Sequence, residues 1–448
     1  MLNAAIDRTY SASPTETFFT GGGAHTFANF EREDNGRILT VREAFERSVN
    51  LVFIRLLQDI VRSRIFEHRE AREVLDSNAS SPLRLQYLRR FADMEGQQYL
   101  EHFYVKYKAR PNSAWLTLLE QGPLTPTRFA AIYRYVRPDA DLSQFQQFAV
   151  SHTVLIRADD MEGLYTKYGP HKFTLNDLAY LAHAHPLDLW LADYLSRHPS
   201  ASLQEVLTAS GPVRQESYSW LFKSSRKHAQ DLRIGIVFER DAFEEIHREW
   251  ARLGFPFSQL VPSLATAIGS SGDNPDALAV LAGIILNNGV RYPSLRIRKL
   301  HFGEGTPMET VLEPKDAIAE RVMSEEVAKV LQRELLGVVE HGTGQRAHNS
   351  IVLDNGIVVL VGGKTGTGDN RIEEFGPHGT VLGSKVRNRT AAFVFTIGDR
   401  FFGTVLAYSA GNDATAQTFT SALAVQVFRD LIPSLRPLLT KGFDGEHH

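Results

Sequence analysis

Between residues 351 and 409 the chain carries strand signals punctuated by tight turns, and this pattern restricts the fold more than any other feature. Ile351 to Asp354 and Ile357 to Val361 flank Asn355-Gly356, two residues that tolerate positive φ, so the segment reads as a two-residue hairpin. Ala391 to Ile397 and Phe401 to Ser409 form a second strand pair around Gly398-Asp399-Arg400. A closing helix is expected from about Asp413, with Phe419, Ala422, Leu423 and Val427 on one face. It should stop before Pro433, because proline lacks the N–H that a helix interior requires. Strands followed by a terminal helix imply a mixed α+β fold in which helices flank an antiparallel sheet.

Upstream, residues 1 to 39 are rich in Gly, Thr, Ser and Asn, with Gly21-Gly22-Gly23 in a row, and read as extended loop without a core. Thr40 and Glu43 form a capping-box pattern that opens a helix through Val41, Ala44 and Phe45. The apolar line breaks at Ser48 to Asn50 and resumes from Leu51 to Val61. From 63 to 245 the pattern is helical almost throughout, with caps at Thr174/Asp177 and Ser202/Glu205 and breaks at Pro111, Pro123, Pro126, Pro138 and Pro186. It contains no internal repeat, and its wealth of Tyr, Phe, Leu and Arg suits a packed helical module with charged outer faces. Helices near 262 to 288 and 324 to 338 then lead into the strands. The expected organisation is therefore 1–62, a helical insertion over 63–245, a second part of the sheet domain over 246–440, and a tail over 441–448 that ends in His447-His448.

Composition narrows the chemistry. A formal charge of -3 and the lack of a long basic block give no field for nucleic acid. The absence of cysteine removes disulfides, thiol catalysis and thiolate zinc sites. His183 and His185 flank no Glu-x-x-His pattern and read as loop histidines, so neither a metal nor a cofactor is expected. The opening residues lack a signal-peptide pattern, and the longest apolar run, Ala277 to Leu286, falls well short of the ~18 residues of a membrane span.

The sharpest motif is VGGKTGTGDN, in which Lys364, Thr365, Gly366 and Thr367 follow directly on a buried-looking strand. Strand alternation sends Lys364 and Gly366 to one face and Thr365 and Thr367 to the other, while the glycine admits another backbone to the edge. Such an edge can bind an extended peptide that ends in a carboxylate. A phosphate loop is excluded, because the first glycine of its pattern would fall on Val358. Ser48-Val49-Asn50 reads either as a helix cap or as a short loop that presents a hydroxyl and an amide to a cleft.

Taken in order, these segments resemble class A penicillin-binding proteins of the serine β-lactamase and D,D-peptidase superfamily. ILTVREAFERSVNLVFIRLLQDIV is similar to the family's Ser-x-Asn helix pair. REWARLGFPFSQLVPSLATAIGSSGDNPDALAVLAGIILNNGV, then VMSEEVAKVLQRELLGVVEHGTGQRA, then VGGKTGTGDN follow the family's order of helices, Gly-Thr-Gly turn and Lys-Thr-Gly strand. The resemblance covers roughly residues 15 to 62 and 246 to 430; residues 63 to 245 have no counterpart in it.

The resemblance implies a peptidoglycan D,D-transpeptidase that crosslinks stem peptides ending in D-Ala-D-Ala and is acylated by β-lactams. By it Ser48 relays protons, Asn50 hydrogen-bonds the donor peptide, Lys364 holds the positive potential, and Thr365, Gly366 and Thr367 form the carboxylate-binding strand. The backbone N–H of Thr367 would supply half of an oxyanion hole. The family's nucleophile and base, Ser-x-x-Lys, should precede Ser48, and no such pattern occurs there. The one match in the chain, Ser224 with Lys227, lies in a basic stretch of the helical region and stands as the alternative nucleophile pair. The expectation is a chain that starts inside a longer protein, is inactive as a fragment, and in full length faces the periplasm from a membrane anchor with a glycosyltransferase domain. A same-superfamily hydrolase and a non-catalytic peptide-binding module, with the helical insertion docking a protein partner, remain alternatives.

Overall fold

A computed structural model describes residues 2–20, 23–152, 154–314, 318–375, 381–411 and 418–444. The chain divides into two compact units, Met1–Ile65 with Glu239–His448, and Phe66–Phe238. These bounds differ from the sequence-based 63 and 245 by three and seven residues, since both boundaries fall inside continuous helices, Asn50–Glu67 and Lys227–Arg252, where no turn residue marks them.

The first unit combines helices with an antiparallel sheet. Its central strand, Val381–Ile397, pairs on one side with Phe401–Ala410 and on the other with the motif strand Val361–Phe375. Register is set by Ile397 opposite Phe401 around the tight turn at Gly398, whose φ is 55°, and by Val361 opposite Ile397. Among the described residues the motif strand has one partner strand, so its other edge presents backbone groups. On one face Val361, Phe393 and Ile397 pack with Ala424, Val425 and Phe428 of the terminal helix, and the Phe393 and Phe428 rings meet edge to face at 5.3 Å. On the other, the helix Pro275–Leu286 approaches so closely that a Cβ on Gly283 would lie 2.6 Å from the Phe402 ring.

Four expectations are corrected. Residues 1 to 39 do contribute to the core: three-residue strands Thr9–Ser11 and Ile38–Thr40 pair with each other, and Ala12, Phe18 and Leu39 are buried. Strands this short leave no periodicity to read. Residues 262 to 288 are two elements, a short 3-10 turn Leu264–Ile268 ended by Gly269 at φ 108°, and the helix Pro275–Leu286 capped by Asn274. The Asn355-Gly356 turn closes with Gly356 at φ 83°, but its arms share a single bridge, Val352 to Val358, because the second arm passes on into the motif strand. The terminal helix is Ser421–Asp444 and runs through Pro433 and Pro437; both prolines are exposed, so the carbonyls they leave unpaired are on a side open to water. Its buried face is Ala424, Val425 and Phe428, whereas Leu423 and Val427 are exposed. The expected start at Asp413 and the His447-His448 tail lie outside the described residues.

The second unit is helical. The cap signals form reciprocal capping boxes at Thr174/Asp177 and Ser202/Glu205, and a further one forms at Asp141/Gln144. Pro126 and Pro186 occupy first-turn positions, where a missing N–H costs nothing. Trp115, Phe129, Tyr133 and Phe145 centre its core. Arg128 is fully enclosed and donates to the carbonyls of Leu118, Leu119, Gln121 and Ala182 at 2.6 to 3.0 Å, closing the C-terminal ends of two helices. Among the described residues no helix is long and apolar enough to cross a membrane.

Candidate functional site

The helix Val41–Arg47 begins at Thr40, whose hydroxyl accepts from the Glu43 N–H while the Glu43 carboxylate accepts from the Thr40 N–H. It ends at Ser48, a non-glycine residue in the left-handed region at φ 58° and ψ 47°. That conformation costs roughly 1 kcal/mol for an L-residue, and it persists because the turn is fastened on both sides. Val49 is buried and its N–H donates to Ala44 C=O. Arg47 grips buried Asp34 through Nε and Nη2 at 3.2 and 2.9 Å. Strain held by its surroundings is a mark of functional positions, and here it turns the Ser48 hydroxyl out of the helix.

On the motif strand, Lys364 Nζ donates to Ser48 Oγ and to Thr365 C=O, the latter at 2.9 Å, and lies 5.5 Å from the Phe45 ring centroid. Among the described residues Lys364 makes no ion pair. Burial alone pushes its ammonium down to about 8, since taking a charge out of water favours the neutral amine.

Thr343 completes the group. Its hydroxyl lies 2.5 Å from Thr365 Oγ1 and 3.5 Å from Ser48 Oγ, and its N–H donates to Glu46 C=O at 3.1 Å. This close docking depends on Gly342: a Cβ there would lie 2.2 Å from Glu46 O. The helix Glu325–Glu340 that delivers the turn is tied to Val41–Arg47 by Arg42 bonded to buried Glu334, which Arg333 also contacts at 3.0 Å.

The sequence-based candidates divide. Ser48, Lys364 and Thr365 converge. Asn50 opens the next helix and donates through Nδ2 to Ala28 C=O at 3.0 Å, leaving Oδ1 without a partner among the described residues. Gly366 is exposed, with open space where a Cβ would go. Thr367 Oγ1 accepts from the Ser421 N–H at 2.9 Å and so anchors the start of the terminal helix. Ser224 is exposed in a short 3-10 turn, while Lys227 Nζ donates to Leu75 C=O at 3.1 Å and lies 3.6 Å from Asp231. Thr343 carried no role in the sequence reading; its only sign was its place in a Gly-Thr-Gly turn. No cluster of three His, Asp or Glu able to hold a metal occurs among the described residues.

In this α+β unit one largely buried cation and three hydroxyls converge beside an open strand edge. Such a group can hold a carboxylate, and the hydroxyl–amine pair can pass a proton.

No protein-family model and no curated protein matches the chain. Among solved structures it is similar to penicillin binding protein 3 from Mycobacterium tuberculosis in complex with ampicillin, at 18% identity over 47% of this chain and 47% of that chain, with a TM-score of 0.29. It is also similar to the D,D-transpeptidase domain of a peptidoglycan glycosyltransferase from Eggerthella lenta, at 15% identity over 44% of this chain and 50% of that chain, TM-score 0.29. A third is penicillin-binding protein 2B from Streptococcus pneumoniae, at 16% identity over 47% of this chain and 34% of that chain, TM-score 0.31. The chain thus spans half or less of the length of each of these solved chains.

Proposed function

We propose that Ser48, Thr343, Lys364 and Thr365 form the carboxylate-binding part of a penicillin-binding acyl-transfer site, one that recognises the D-Ala-D-Ala end of a peptidoglycan stem peptide and the equivalent carboxylate of β-lactams. The observation that carries this reading is the Lys364 ammonium: it is largely removed from water, held by a hydroxyl and a carbonyl, and faces no carboxylate among the described residues. A buried charge without a counter-ion is costly, so the site is complete only when an anion binds. In the D,D-transpeptidase reading Thr365 and Thr367 position the terminal carboxylate, Asn50 Oδ1 accepts from the donor peptide, and Ser48 relays a proton to the leaving amine. The same reading assigns the Thr367 N–H to the developing oxyanion. The class A assignment, the periplasmic setting and the membrane-anchored full-length form rest on the sequence resemblance.

For the chain itself, the reading favoured is peptide or β-lactam binding without acylation. Ser224 with Lys227 is its one Ser-x-x-Lys, and Lys227 is engaged by Leu75 C=O and Asp231. Incubation with a fluorescent penicillin, followed by intact-mass analysis, tests this. Saturable binding that Lys364→Met and Ser48→Ala weaken, with no covalent mass increase, is the expected result. An adduct lost in Ser224→Ala would make the helical unit catalytic and overturn the assignment.

A further inference from the structure

The helical unit contains a cleft that neither its core nor the acyl-transfer reading uses. About 830 Å³ in volume, it opens where the helices Pro126–Val136, Leu142–Ser151 and Pro186–Arg197 meet, with Tyr133, Arg137, Asp139, Gln147 and Arg197 in its wall. Arg137 follows directly on the first of these helices and is exposed. Its guanidinium lies 5.8 Å from the Trp115 ring centroid and, among the described residues, makes neither an ion pair nor a hydrogen bond. Arg134, whose Nη1 donates to the carbonyls of the wall residues Arg137 and Ala140 at 3.4 and 2.8 Å, is 5% exposed, keeps its Nε buried without a partner, and likewise forms no ion pair among the described residues. Arg197 gives Nη2 to Asp193 at 2.8 Å. Of the remaining carboxylates nearby, Asp141 accepts from the Gln144 N–H as a helix cap, and Asp139 stands exposed in the wall with no partner among the described residues.

A second observation points to a ligand. Tyr133 is 5% exposed, with Trp115, Phe129, Phe145 and Phe148 around its ring at centroid distances of 5.1 to 6.1 Å. It lines the cleft, and its hydroxyl, the one polar atom of an otherwise enclosed side chain, makes no hydrogen bond among the described residues. Polar groups this far removed from bulk water are as a rule satisfied. Burial raises the pKa of the phenol, so it stays an O–H donor. Gln144 engages only its Oε1, which accepts from the Asp141 N–H at 3.0 Å, and Gln147 makes no hydrogen bond among the described residues, so both amide groups remain to donate.

We propose that this cleft binds a small sugar acid, its carboxylate held between the Arg137 guanidinium and the Tyr133 O–H and its ring hydroxyls exchanging hydrogen bonds with Asp139, Gln144 and Gln147. A guanidinium presents paired N–H donors that match a carboxylate, and the charge makes such bonds the stronger kind. Arg134, buried without a counter-ion, gains from an anion beside it. Asp139 repels a simple anion but accepts from hydroxyl donors, so its place beside Arg137 selects an anion that also carries hydroxyls.

Calorimetric titration of the full chain tests the site with glucuronate and galacturonate, with the amide of each as its neutral counterpart, and with hexanoate as a carboxylate without hydroxyls. The better of the two uronates should bind about tenfold or more tightly than its amide and than hexanoate. Arg137→Gln should weaken it by about tenfold or more, and Tyr133→Phe, which keeps the ring in place, by about fivefold. Circular dichroism of each variant establishes that it is folded. Lys364→Met should leave uronate binding unchanged, which separates this cleft from the strand-edge site. No binding of either uronate, a uronate bound no better than its amide or than hexanoate, an affinity indifferent to Arg137→Gln or to Tyr133→Phe, or binding lost in Lys364→Met would overturn it.

Discussion

Lys364 Nζ donates to Ser48 Oγ across 316 positions of sequence, joining the end of a capped helix to the motif strand. The contact places the amine where an incoming carboxylate would meet it, and it sets the pH behaviour of the site.

Anion binding should follow the protonated form of Lys364. With its ammonium pushed down to about 8, affinity for a carboxylate ligand should be level below that pH and fall by about tenfold per unit above it. Lys364→Met should abolish both the binding and its pH dependence, as read by titration across the alkaline range.

The same group makes a stability prediction. Lys364 is near 8 in the folded chain and higher when unfolded, so between the two values the unfolded state holds more protons and stability rises with pH. Below about 8 both states are charged and the full desolvation penalty applies. Urea unfolding of wild type and Lys364→Met should therefore differ by roughly 3 kcal/mol at neutral pH, the variant being more stable, with the gap closing toward pH 10.

Gly342→Ala should damage the site without touching a ligand group. The added Cβ meets Glu46 O at 2.2 Å, so the turn that carries Thr343 must withdraw. A loss of about 2 kcal/mol in stability and at least tenfold in carboxylate affinity is expected, by denaturant melts and titration. Retained affinity would show that Thr343 is not part of the site.

In the helical unit, Arg128→Met should cost about 3 kcal/mol, because four carbonyls lose their shared donor inside the core. Arg128→Lys should rescue little, since one ammonium cannot span that fan of acceptors. Hydrogen exchange confined to residues 66–238 reads the effect.

What the sequence discloses here is local chemistry. The Thr40/Glu43, Thr174/Asp177 and Ser202/Glu205 caps each rest on groups three residues apart, and all form as expected. The Gly398 turn between its two strands is equally local. Thr343 was not singled out, because its meaning arises from Ser48 and Thr365, which only tertiary packing brings near. The terminal helix was misjudged for a related reason: whether Pro433 ends a helix depends on whether water can reach the freed carbonyl, and that is settled by which face is buried.

The most direct test of the carboxylate-binding assignment compares an acylated peptide ending in D-Ala-D-Ala as the free acid with the same peptide as its C-terminal amide, titrated into wild type and Lys364→Met near neutral pH. The account predicts that wild type binds the acid at least tenfold more tightly than the amide, and that Lys364→Met erases the difference. Equal affinities for acid and amide in wild type, or an acid preference that survives Lys364→Met, would contradict it.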